Sequence, residues 1–157
     1  MKAATTQQIK EELKSLSQKE VIELCLRLIR FKKENKEMLS FVLFDSGDIQ
    51  AYIETIKLEI TDAMASLPSS RYFIQKGLRK TLKDIAKYCR YMADKEAETQ
   101  LRLHFCHTLK LYGMASHKHQ STMNLYKSQL DKIQSQIHQL HEDLQFDYQK
   151  SLNELTA

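Results

Sequence analysis

Three glycines and one proline in 157 residues leave little backbone suited to the tight turns of a strand-rich fold. The chain is therefore expected to consist of helices joined by short connectors. Apolar residues at 42% and charged residues at 28% are the proportions of a folded globular protein, not of a disordered one. The fold class that follows is all-α: an irregular bundle of six or seven helices in a single domain over 1–157. Residues 1–113 form its helical body, and 114–157 form one long amphipathic C-terminal helix that packs on it.

Periodicity places the elements. Ile9, Leu13 and Leu16 recur at helical spacing and start a first short helix. Ser17 and Glu20 form a capping box, so a second helix begins near Gln18. Its stripe of Val21, Leu24, Leu28 and Phe31 is widened by Ile22, Cys25 and Ile29. So broad an apolar face requires more than one neighbour. The charged run from Phe31 to Glu37 breaks that helix, and Met38 to Phe44 reads as a buried one. Asp45-Ser46-Gly47-Asp48 is a turn, with Asp48 capping a fourth helix on Ile49, Ile53, Ile56 and Ile60. It ends before Pro68. Ser69-Ser70 caps a fifth helix running to about Met92, Asp94 caps a sixth, and Gly113 terminates that one.

The fifth helix is charge-segregated. Leu78, Leu82, Ile85, Cys89 and Met92 mark its buried stripe. At about 100° per residue, Lys76, Lys80, Lys83, Lys87 and Arg90 gather on the opposite side. Arg79 and Tyr91 flank them. Asp84 is the only acid between Arg71 and Arg90. Such a face reads first as a solvated surface. An acidic protein partner, or a nucleic-acid phosphate backbone, are the sharper alternatives. The overall net charge of +4 is too mild to choose between them.

No glycine or proline follows Gly113. Met123, Tyr126, Leu130, Ile133, Ile137, Leu140 and Leu144 alternate at 3 and 4 residues, the seam of a coiled-coil-like helix. Tyr148, Leu152 and Leu155 resume the seam after a phase slip at Asp147. A single helix over 122–155 would be about 50 Å long at 1.5 Å per residue. That exceeds a round domain of this chain length, whose radius of gyration is about 15 Å. Its distal turns, with Phe146, Tyr148, Leu152 and Leu155, are thus the expected partner contact or site of self-association.

Chemistry-bearing residues give no motif. His104 and His107, and likewise His138 and His141, are spaced i, i+3. Were their helices antiparallel, four imidazoles could converge on a metal such as zinc. Supporting Glu-x-x-His or zincin patterns are missing. His117-Lys118-His119 reads as an exposed connector. Cys106 and His107 diverge by about 100° on one helix and cannot form a nucleophile–base dyad directly. No catalytic residue, cofactor fingerprint or phosphate loop is assigned.

Cys25, Cys89 and Cys106 are odd in number and widely spaced, as expected of reduced thiols in a cytoplasmic protein. The longest nearly continuous apolar run, Met38 to Phe44, is far too short to span a bilayer, and no signal-type apolar block opens the chain. Glu12-Leu13-Lys14-Ser15-Leu16-Ser17-Gln18-Lys19-Glu20, leading into Leu24 and Leu28, resembles uncharacterised all-helical bacterial proteins over roughly the first 45 residues. The resemblance implies helix, capped turn, helix, and no activity. The expected role is non-enzymatic: protein–protein interaction or scaffolding. Nucleic-acid binding through the fifth helix is the first alternative and a metal-binding bundle the second.

Overall fold

The computed structural model describes residues 2–115 and 120–156; the His117-Lys118-His119 connector lies outside them. The chain is all-helical, as its lack of turn residues demands. Eight α-helices are present among the described residues, rather than six or seven. Contacts divide the chain into two compact units, Met1–Phe44 and Asp45–Ala157.

The N-terminal unit holds α1 (Thr6–Ser15), α2 (Gln18–Phe31) and α3 (Lys33–Ser40), followed by a π-helical turn at Phe41–Asp45. Two capping boxes set its corners. The Thr5 hydroxyl accepts from Gln8 N–H and the Ser17 hydroxyl from Glu20 N–H, while the Gln8 and Glu20 side chains accept from the cap N–H groups. Each box satisfies two orphan donors at a helix start. Lys32 alone interrupts the helix after Phe31, with extended φ and ψ of −142° and 138°. The charged run therefore opens α3 instead of forming a connector. Asn35 Nδ2 donates to the Leu28 carbonyl at 2.8 Å, tying α3 back to the end of α2. The expected buried helix at Met38 to Phe44 is corrected: only Phe41 is buried, while Val42, Leu43 and Phe44 are exposed.

The second unit is a five-helix bundle of α4 (Ile49–Ala65), α5 (Arg71–Met92), α6 (Lys95–Leu111), α7 (Gln120–Ile137) and α8 (Glu142–Thr156). Asp48 and Asp94 cap α4 and α6 as expected, accepting from Ala51 N–H at 3.0 Å and Ala97 N–H at 2.9 Å. Ser70 stands at the start of α5 but makes no side-chain cap bond. Gly113, at φ +66°, follows α6 as the expected left-handed terminator. Gly77 sits inside α5 for a packing reason: a Cβ there would fall on the Leu67 side chain.

α6 is the centre of this unit and packs on α4, α5, α7 and α8. Eight of its residues are buried, among them Leu101, Phe105, Cys106 and Leu109. Burial on every side explains why its sequence lacks one clean apolar stripe: Thr99 and Thr108 fill inward positions by donating to carbonyls one turn back. Arg102 is buried as well. Its guanidinium donates to Glu98 Oε1 at 2.8 and 2.5 Å and to Gln129 on α7 at 2.6 Å. A buried cation is tolerable only with such partners.

The expected single long C-terminal helix is corrected. α7 ends at Ile137 and α8 begins at Glu142, and the two form an antiparallel hairpin. Tyr126 Oη donates to the Leu155 carbonyl at 2.8 Å, and Gln134 Nε2 to Gln149 Oε1 at 2.8 Å. The turn uses neither glycine nor proline. Gln139 and Leu140 N–H groups tighten the end of α7 by bonding to Gln136 and Ile137 carbonyls. Gln145 Nε2 holds the Leu140 carbonyl at 2.9 Å. The apolar pattern runs on through this turn, and the phase slip at Asp147 falls inside α8; doubling back brings the whole segment within the length of its neighbours.

Candidate functional site

α1, α2 and α3 contain no buried side chain, although α2 is strongly amphipathic. The half-buried residues of α2 include Val21, Cys25 and Ile29, and α3 is the helix that packs on it. At about 100° per residue those three occupy one edge of the apolar face, and Leu24, Leu28 and Phe31 occupy its middle. The middle is uncovered: Leu24 is 39%, Leu28 58% and Phe31 77% exposed. Ile9 and Leu13 of α1 border them from the other side and are exposed too. Together with Arg27 and Arg30 these five residues line an open groove of about 730 Å³ between α1 and α2. The breadth of the α2 apolar face is thus met in part: α3 covers one edge, and the groove leaves the middle open.

Apolar side chains gathered this way are uncommon on a free surface. Covering such a surface, whether by protein, membrane or ligand, releases roughly 25 cal/mol per Å² of apolar area. The groove is apolar along its floor and cationic at its rim. Beside it, Glu20 is fixed by the capping box. The Ser17 hydroxyl and N–H hold its carboxyl below the usual range.

The basic face of α5 changes in detail. Lys76, Arg79, Lys80, Lys83 and Arg90 are exposed, and among the described residues none of them pairs with a carboxylate. Lys87 leaves the set: its side chain is only 16% exposed, lies 3.9 Å from Asp84 and sits over the Tyr88 ring. Tyr91, read as a flank of the solvent face, is instead buried in an edge-to-face contact with Tyr88. Five cations remain on the open stripe.

The residues expected to project toward a partner fall mostly inside the bundle. Leu152 and Leu155 are buried, because the hairpin turns the α8 stripe back toward α6 and α7. Tyr148 is half-buried and donates to Glu96 on α6 at 2.7 Å. Phe146 remains at the surface, 76% exposed.

The two histidine pairs do not converge. His104 Nε2 meets Thr61 Oγ1 of α4 at 2.9 Å, and burial pushes its pKa down. His107 is exposed. His138, in the turn after α7, contacts Gln134 of that helix at 3.2 Å. His141 caps α8, its Nδ1 accepting from Asp143 N–H at 3.4 Å. Among the described residues no three His, Cys, Asp or Glu side chains are grouped as metal ligands. Cys106 is buried with its thiol pushed up to about 12, so it does not meet His107 as a nucleophile. Cys89 is likewise buried and raised to about 12.

The groove was missed in the sequence as a site, although its residues were read as helix stripes; the signal was the excess width of the α2 face. Among the described residues no helix is long and apolar enough to cross a membrane. Comparison with protein-family models, curated proteins and solved structures found no match for the chain.

Proposed function

We propose that this protein is a non-enzymatic helical interaction module that recognises another protein segment through the α1–α2 groove. One observation carries the reading: three amphipathic helices without a buried side chain hold Ile9, Leu13, Leu24, Leu28 and Phe31 open along a groove. The unit Met1–Phe44 lies close to the size, about 40 residues, below which chains normally need an added staple or partner. A covering helix with apolar anchors would remove that surface from water. Three free thiols, two of them buried, fit a reducing, cytoplasmic setting.

The test is quantitative co-purification from the native cell, comparing the full chain with a Leu24→Asp/Leu28→Asp variant. Both positions are exposed, so the fold tolerates the change. Proteins recovered with the parent and lost with the variant are the expected result. An identical set from both would overturn the groove as the contact.

A second reading rests on a separate observation, the five uncovered cations of α5. Lys76, Arg79, Lys80, Lys83 and Arg90 form a stripe that phosphate groups of a nucleic-acid backbone, or acids of a protein surface, would neutralise. Fluorescence anisotropy with single- and double-stranded probes, titrated upward from about 50 mM salt, tests it through the salt slope. Absence of binding at the lowest salt removes the nucleic-acid form of this reading.

A further inference from the structure

We infer that the occupant of the α1–α2 groove is a second copy of this chain, with the two α2 helices pairing antiparallel about a two-fold axis at the level of Cys25. The inference rests on the proposed interaction role and names its partner. It follows from the order of charges beside the groove.

Taking Leu24 as the centre of the open face, Leu28 and Phe31 lie within about 40° of it, and α3 covers the edge carrying Val21, Cys25 and Ile29. The opposite edge carries Glu20, Glu23, Arg27 and Arg30 within a sector of about 80°. Acids occupy its N-terminal half and bases its C-terminal half. Glu23 and Arg27 are four residues apart and could pair along the helix. They do not: among the described residues, Glu23, Arg27 and Arg30 have no ion-pair partner within 4.0 Å. The Glu20 carboxylate accepts from Ser17 through Oε2, which leaves Oε1 for another partner.

In an antiparallel helix pair related by a two-fold axis, the same edge of each helix faces its own copy in reverse order. With the axis level with residue 25, Glu23 of one copy meets Arg27 of the other, and Glu20 meets Arg30. Both pairs occur twice by symmetry. The same register sets Leu28 of one copy between the levels of Val21 and Leu24 of the other, and Leu24 between Leu24 and Leu28. Apolar side chains therefore interdigitate instead of meeting head-on. A parallel pairing about a two-fold axis would instead set this edge against the Val21, Cys25 and Ile29 edge of the other copy, leaving its acids and bases without partners. Charge order thus selects both the partner and the direction.

The experiment uses the full chain in solution. Sedimentation equilibrium at about 100 μM, a concentration that populates complexes of that affinity or tighter, is expected to show a dimer. Glu23→Arg and Arg27→Glu, made separately, each replace two attractive contacts by two repulsive ones and should weaken self-association about tenfold. Mixing the two single variants should restore dimerisation as a heterodimer, and the double variant Glu23→Arg/Arg27→Glu should dimerise like the parent. Circular dichroism confirms that these exposed substitutions leave the helices intact.

A parent that is strictly monomeric at that concentration overturns the inference. So does a dimer indifferent to both single variants, or two weakened variants that fail to rescue one another. Any of these outcomes leaves the wider interaction role standing if co-purification through Leu24 and Leu28 recovers a different protein. A set of co-purified proteins left unchanged by Leu24→Asp/Leu28→Asp fails the wider role independently.

Discussion

Ala93 ends α5 with φ at 50° and ψ at 34°, a left-handed conformation that its Cβ disfavours by about 1–2 kcal/mol. The N–H of Ala93 bonds to the Cys89 carbonyl at 2.9 Å, and Asp94 must begin the next cap at once, so the backbone has no alternative route. Ala93→Gly removes the clash. It is expected to raise stability by about 0.5–1 kcal/mol, partly offset by the greater unfolded-state freedom of glycine; urea denaturation measures the shift in midpoint. His104 is the residue through which acid acts. Its ring faces Thr61 and is half-buried beside Lys57, and desolvation lowers its pKa from 6.5. The unfolded chain therefore binds a proton that the folded chain refuses. Stability from this group is complete above about pH 6.5 and declines as pH falls toward the folded pKa. Urea midpoints measured from about pH 7.5 down to about pH 5 should fall in the parent and fall less in His104→Gln.

Among the elements, α6 carries the second unit. Phe105 has no exposed surface and lies on α6, which packs on the other four helices of its unit. Phe105→Ala is expected to cost about 3–5 kcal/mol by the lost burial and the cavity left behind. Thermal unfolding followed by circular dichroism reads that loss. Much of this element order could be read from the sequence, because caps are local chemistry: Ser17 with Glu20, Asp48 and Asp94 each announce a helix start by what they bond within three residues. The division of α7 from α8 could not be anticipated by the same means. Its turn is stabilised by Gln145 reaching back to Leu140 and by His141 capping α8, neither a usual punctuation residue. Long-range pairing decides the rest. Leu152 and Leu155 look alike whether they face a partner or their own bundle, and only the reversal at residues 138–141 sets which. Met38 to Phe44 misled for the opposite reason: apolar composition alone does not say whether a neighbour exists to cover it. The open groove was legible only indirectly, through an α2 face wider than one neighbour could fill.

For the molecule as a whole, the division into two units means that its stability is unequally held. The core residues Phe105, Ile133, Leu101 and Leu78 all belong to Asp45–Ala157, whereas α1 to α3 contain no fully buried residue. Limited proteolysis should cut first at the exposed Asp45-Ser46-Gly47-Asp48 stretch, since cleavage follows locally open, weakly packed backbone. The fragment 45–157 should then keep a cooperative thermal transition close to that of the full chain; mass spectrometry identifies the cut and calorimetry the transition. Loss of cooperativity in that fragment would show that the first 44 residues contribute to the second unit's stability.

The central place of α6 has a consequence in time. Synthesis completes it before any residue of α7 exists, so α4, α5 and α6 can assemble while the side of α6 meant for the C-terminal hairpin is still bare. At about 5–20 residues per second, the 45 residues from Tyr112 to Thr156 take several seconds to appear. Until Gln129 is made and α7 packs, Arg102 has only Glu98 on its own helix. The nascent chain is then half a bundle, closed on one side and adhesive on the other, and α7 and α8 arrive as its lid.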